Sequence, residues 1–122
     1  MTRNEIRDKG VNYIISLLSS KGHIVKKQRN GRDEYLYIEK PKKFIIKIKT
    51  LSQTSPVPFG QRDPKSINAD FLIICRIVGS DSPESFIANI EKVIRVTKKI
   101  KENYWLQRRD YEEFEQNLDL LN

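Results

Sequence analysis

The sequence predicts a single α/β domain over residues 1–122, with a mixed central sheet of about four to five strands flanked by helices. Three observations predict it. Residues 2–22 carry helix start and stop signals around an apolar stripe. Residues 23–51 hold three short strand-like stretches separated by turns. DFLIICRI (70–77) is a continuous apolar run, the mark of a central strand covered on both faces. The length suits one core and is too short for two ordinary domains.

The elements follow in order. Thr2 and Glu5 form a capping box, Ile6, Tyr13, Ile14, Leu17 and Leu18 line one helix face, and Gly22 suits a left-handed C′ position. HIVKKQ (23–28) is a short strand, and Asn30-Gly31 marks a tight reversal. DEYLYIE (33–39) is the second strand, KPKK a turn, and FIIKIKTL (44–51) the third strand. Residues 52–69 form a long loop in which Pro56, Pro58, Gly60 and Pro64 forbid regular structure. Loops of this length are often functional. Phe59 is expected to anchor it, with Gln61, Arg62 and Lys65 facing solvent at the rim of any site on the third strand.

After the buried strand, GSDSPE is a turn. SFIAN (85–89) either opens a helix capped near Asp81 or pairs as a strand with 71–77, and the strand is favoured. A helix is then expected from Ile90 to Glu102, with Val93, Thr97 and Ile100 inward. YWLQ (104–107) is a short extended piece. A last helix opens with Asp110 and Glu113 as a capping box and carries Tyr111, Phe114, Leu118 and Leu121 on one stripe.

Composition narrows the function. Apolar residues make up 38% and charged residues 32% of the chain. No apolar run approaches the roughly 20 residues that span a bilayer. The N-terminus has no apolar stretch behind its basic residues, so a signal peptide is not expected and the location is read as cytoplasmic. The single cysteine, Cys75, sits in the apolar run and reads as a buried thiol. The net charge of +7 is uneven: residues 1–50 hold 13 Lys and Arg against 5 Asp and Glu, and residues 51–122 hold 10 against 11. Such asymmetry suits a surface that meets a polyanion, most simply nucleic acid. The plain alternative is a solvated basic surface.

KKFIIKIKTLSQ (42–53) poses the sharpest question. Phe44, Ile46, Ile48 and Thr50 fall on one strand face, and Ile45, Lys47, Lys49 and Leu51 on the other. Two lysines about 6 to 7 Å apart repel by roughly 0.6 to 0.7 kcal/mol in water, and by more in a partly buried pocket unless an anion lies between them. They either guard a solvated edge or build an anion-binding site.

A helix leading into three strands, Asp33-Glu34 opening the second, IIKIKT on the third, ADFLIIC after it and the closing YWLQRRDYEEF together resemble the PD-(D/E)XK nuclease superfamily, the restriction-endonuclease-like fold. The resemblance covers most of the chain. It implies a carboxylate on the second strand and, on the third, an acidic residue, one spacer and a lysine. In the family these groups bind Mg²⁺ and activate water for phosphodiester hydrolysis. Lys49 matches the family lysine, which would orient the attacking water or stabilise the phosphorane. Lys47 stands where the family places a metal-binding carboxylate, and a charged ammonium offers no lone pair to Mg²⁺. The glutamate that many members carry on the leading helix falls at Val11. Asp33 and Glu34 remain as metal ligands.

The resemblance therefore implies a domain without metal-dependent catalysis and without a cofactor. It would bind nucleic acid, DNA before RNA, or a partner protein, a homodimer included; no membrane role is expected. The nucleic-acid contacts expected are Lys26, Lys27, Arg29, Arg32, Lys47, Lys49, Arg62 and Lys65. One alternative is an active Mg²⁺-dependent endonuclease rearranged around Asp33, Glu34 and Lys49, with Asp70 as a further candidate. Another is an interaction or oligomerisation module. Other chemistries lack their residues: His23 is the one histidine, the five glycines are scattered, and no G-x-S-x-G elbow occurs. Tyr104 and Trp105 suit base stacking, although such a pair more often serves the core.

Overall fold

A computed structural model describes residues 2–30, 33–79, 82–116 and 118–121, with the side chains of residues 29, 30, 33 and 119 outside that description. Helix α1 spans Arg3–Ser20. Thr2 Oγ1 accepts a hydrogen bond from the Glu5 amide at 3.1 Å, so the first half of the capping box is made. Gly22 ends the helix at φ +91°, a conformation that favours glycine. Val11, Ile14 and Leu18 are fully buried beneath the sheet. Gly10 permits that approach, because a Cβ there would overlap Thr50 Cγ2.

Strands β1 (Ile24–Asn30) and β2 (Asp33–Lys40) form an antiparallel hairpin that runs to the pair Asn30↔Asp33. The reversal expected at Gly31 and Arg32 lies outside the described residues. Strand β3 (Phe44–Leu51) pairs antiparallel with β2 and parallel with β5 (Phe71–Arg76). Strand β6 (Glu84–Asn89) pairs antiparallel with β5, so SFIAN is a strand. Asp81, the alternative cap, lies outside the described residues. The sheet order is β1-β2-β3-β5-β6, a mixed α/β arrangement in one small domain with β3 at its centre. Lysines on β3 therefore do not guard an edge.

Three expectations need correction. The stretch 52–69 is not wholly irregular: it contains β4 (Val57–Gly60) and a 3₁₀ turn at Pro64–Ser66. Strand β4 lies at the edge of a second sheet, beside β8 (Asn103–Leu106), which β7 (Lys98–Ile100) flanks on its other side, and an edge strand is where proline is tolerated. Helix α2 is only Ile90–Val96. The β-branched residues Val93, Ile94, Val96 and Thr97 weaken it. Thr97 is extended, and Lys98–Ile100 pairs as β7 with β8 (Asn103–Leu106), leaving Ile100 48% exposed rather than inward.

The last expected helix is also broken, into α3 (Arg108–Tyr111) and a 3₁₀ turn at Leu118–Leu121. The Ile87 amide donates to Glu115 O at 2.8 Å, and Ser85 Oγ donates to Gln116 O at 3.1 Å. The tail thus crosses the β6 edge. Tyr111 and Phe114 pack in one apolar cluster, Leu118 and Leu121 in the other. A continuous helix could not deliver one stripe to both faces of a sheet.

The two clusters define two layers. Leu36, Ile46, Ile48 and Ile73 meet α1 on one face of the central sheet. On the other, Leu72, Ile74 and Phe86 meet Val57, Phe59 and Leu106 from the second sheet. Among the described residues, no helix is long and apolar enough to cross a membrane.

Candidate nucleic-acid interface

The second sheet packs over β5 and β6, so the corresponding face of β1, β2 and the first half of β3 stays open. Strand alternation and register decide what it carries. Lys26 stands opposite Tyr37, Gln28 opposite Tyr35, Tyr35 opposite Lys47, and Tyr37 opposite Ile45. Cross-strand partners share a face. That face therefore carries Lys26, Gln28, Tyr35, Tyr37, Lys47 and Lys49, with Lys26 and Gln28 exposed, Lys49 and both tyrosines half-buried, and Lys47 buried.

Lys47 is not a solvated strand lysine. It is 4% exposed, flanked in register by Tyr35 and Leu72, and its Nζ lies 4.7 Å from the Tyr35 ring centroid. The alkyl stem covers apolar surface while the ammonium meets the ring's negative face. Lys49, half-buried, holds its Nζ 5.5 Å from the Phe59 centroid. Phe59 itself is buried, so β4 is anchored beside the lysine strand as the loop expectation had it. Gln61, Arg62 and Lys65 are exposed just beyond.

The remaining predicted residues divide between the faces. Lys27 stands opposite Leu36, which packs under α1, so Lys27 belongs to the other face from Lys26. Arg29 and Asp33 hold strand positions near the hairpin end, their side chains outside the description, and Arg32 lies outside the described residues. Glu34 stands opposite Ile48 and is 3% exposed on the α1 face, with Oε1 3.3 Å from Arg7 Nε. It is not brought to Lys49. Asp70 Oδ2 accepts from the Ile45 amide at 2.8 Å, fixing the start of β3 against β5. Among the described residues, no group of three or more His, Cys, Asp or Glu side chains gathers as a metal site.

Two clefts border the open face. One, of 440 Å³, is lined by Lys26, Gln28, Tyr37, Lys43, Ile45 and Asp70. The other, of 690 Å³, opens where β3 ends, between the start of α1, the residues after Leu51 and Trp105. Loop residues Ser52, Gln53, Ser55 and Pro56 form part of its rim.

Sequence reasoning missed several residues here. Tyr35 and Tyr37 were legible as one face of DEYLYIE, two residues apart. Arg76 was not. It is 5% exposed, binds Glu84 through both carboxylate oxygens at 3.1 and 3.2 Å, and donates to Glu112 at 3.0 Å and to Tyr111 Oη at 3.2 Å. Burial lowers its pKa, but these hydrogen bonds together outweigh that and the net shift is upward; Glu112 is held below the usual carboxylate range, first by the Arg76 hydrogen bond. This network ties the tail to β5 and β6. Burial pushes the Cys75 thiol up to about 12, leaving a core thiol with no thiolate for nucleophilic chemistry at neutral pH.

Comparison with known proteins adds no relative: no family model, curated protein or solved structure matches this chain.

Proposed function

We propose that this domain binds nucleic acid across the open face of β1–β3 and does not cleave it by a metal-dependent route. The observation that carries the reading is one sheet face that holds the exposed Lys26 and the half-buried Lys49 beside two half-buried tyrosines, with Lys47 packed against the Tyr35 ring. Lysines supply phosphate contacts and half-buried tyrosines supply stacking surface, the two ingredients of a nucleic-acid platform. The resemblance to restriction-endonuclease-like domains favours DNA. Lys47 at the family's carboxylate position and Glu34 turned to Arg7 support the reading without Mg²⁺, which requires oxygen ligands.

A second reading has one observation in its favour. Strand β1 is an edge of the central sheet, and Ile24 on it is 51% exposed, which suits pairing with a protein partner or a second copy. Binding of labelled duplex DNA, measured against salt, separates the two. Affinity that falls steeply with salt supports the lysine face. No binding at low salt, with concentration-dependent self-association, supports the edge.

A further inference from the structure

We propose that the 690 Å³ cleft at the end of β3 receives a single nucleotide, its base against the Trp105 indole and its phosphate on the Arg3 guanidinium. The volume lies within the range of small-ligand sites, about 300 to 1,000 Å³. Where the nucleotide belongs to a bound strand, the inference rests on the lysine-face reading; a free mononucleotide presents the same base and phosphate.

Trp105 is the first reason. Its β8 neighbours Tyr104 and Leu106 pack with the second apolar cluster, but Trp105 belongs to neither cluster. Its register partner is the exposed Pro58. A large, half-buried aromatic that the core does not use, standing in a cleft wall, offers a π-face to a base.

Charge is the second reason. The cleft carries Arg3 and Arg7, one helical turn apart, and no carboxylate among its described lining residues. The 440 Å³ cleft, by contrast, includes Glu39 and Asp70. Arg7 is engaged with Glu34, which leaves Arg3 as the outer cation. Arg3 is the first residue of α1, where the helix dipole disfavours a positive charge. Helix stability does not account for that charge, whereas an anion bound in the cleft would be favoured by it. Thr50, Ser52 and Gln53 add hydroxyl and amide groups suited to a base edge or sugar.

Position is the third reason. Thr50 and Leu51 follow Lys49 directly along β3, so the cleft opens at the end of the strand that carries Lys49.

Trp105 is the one tryptophan of the chain, so its emission reports the cleft directly. The full chain is titrated with deoxyadenosine monophosphate and, separately, with a dye-labelled oligonucleotide duplex carrying a single-stranded overhang, whose anisotropy reports binding independently. Saturable quenching of Trp105 is expected, with Arg3→Ala raising the midpoint about ten-fold, as for the loss of one charge-assisted contact. The melting temperature should be unchanged or slightly raised. Quenching by the oligonucleotide alone assigns the cleft to a nucleotide of a strand; quenching by the mononucleotide without oligonucleotide binding supports the cleft and overturns the lysine-face reading. Oligonucleotide binding with unaltered Trp105 emission, and none from the mononucleotide, overturns the cleft and leaves that reading standing. Quenching indifferent to Arg3→Ala overturns the assigned phosphate contact, and failure of every titration overturns both proposals.

Discussion

Arg7 Nε stands 3.3 Å from Glu34 Oε1, tying α1 to β2 on the sheet face away from Lys47. The pair changes what Glu34 means. A carboxylate that reads in the sequence as a candidate metal ligand is 3% exposed and engaged by a helix arginine. Arg7→Ala should leave that carboxylate without this cation and cost about 3 kcal/mol. Adding Glu34→Gln should recover part of the loss, a coupling that urea denaturation of the four-member cycle measures. Strictly additive costs would show that the two side chains act independently.

Catalysis is tested directly. With Mg²⁺ or Mn²⁺, supercoiled plasmid and single-stranded DNA should stay intact above the no-protein background. Robust cutting that Lys49→Ala abolishes would establish an active site, with Asp33 as the first carboxylate to examine.

Gly10 makes a packing test. Alanine raises helix propensity by about 1 kcal/mol over glycine. Its Cβ, however, would overlap Thr50 Cγ2. Overpacking of this kind costs about 1 to 3 kcal/mol. Gly10→Ala should therefore lower the denaturation midpoint, and Thr50→Ser in the same chain should restore it by removing the methyl group. A Gly10→Ala variant more stable than its parent would mean that α1 does not press on β3.

The tail network gives a pH signature. Arg76 holds the Glu112 carboxyl below its ordinary range. A depressed folded-state value contributes stability above the unfolded pKa, and that contribution disappears as pH falls through the folded one. Glu112→Gln should thus be less stable than the parent at neutral pH and converge with it in acid. Parallel stability curves from neutral to acid pH would exclude this linkage.

His23 supplies a stabilising substitution. It is 5% exposed and edge-on to Phe44 at 6.0 Å, and neither ring nitrogen has a hydrogen-bond partner among the described residues. A buried polar atom without a partner costs about 1 to 3 kcal/mol. His23→Phe keeps the aromatic contact and should raise the melting temperature; a fall would show that the imidazole is satisfied in solution.

Much of the fold was legible because local signals and tertiary packing agree. Thr2, Glu5 and Gly22 bound α1, and the alternation in 33–39 and 44–51 set two neighbouring strands. The apolar run at 71–76 announced the buried strand. The errors fall where tertiary pairing overrides local pattern. Val57–Gly60 becomes a strand because β8 lies beside it, prolines notwithstanding. Ile100 leaves its expected helix face to pair in β7. Tyr111 and Leu118 share a helical spacing but serve opposite sides of the sheet. For the site, IKIK showed two lysines on one face. It could not show that Lys47 is buried against Tyr35, because that needs the register Tyr35↔Lys47. Nor could DE at 33–34 reveal that Glu34 turns to Arg7, because that contact spans 27 residues of chain.

The central claim, that the open face of β1–β3 meets phosphates, is tested most directly by two adjacent lysines. Lys26 and Lys27 neighbour each other in β1 but stand opposite Tyr37 and Leu36, hence on opposite faces. Both are exposed, so alanine at either should change stability by no more than about 0.5 kcal/mol. Duplex DNA binding is followed by anisotropy as a function of salt for the parent, Lys26→Ala and Lys27→Ala. Each duplex phosphate neutralised contributes about −0.9 to the log–log slope. The account predicts that Lys26→Ala weakens binding and makes the slope shallower by about 0.9, while Lys27→Ala leaves both unchanged. Equal effects of the two substitutions, or an effect of Lys27→Ala alone, would contradict it.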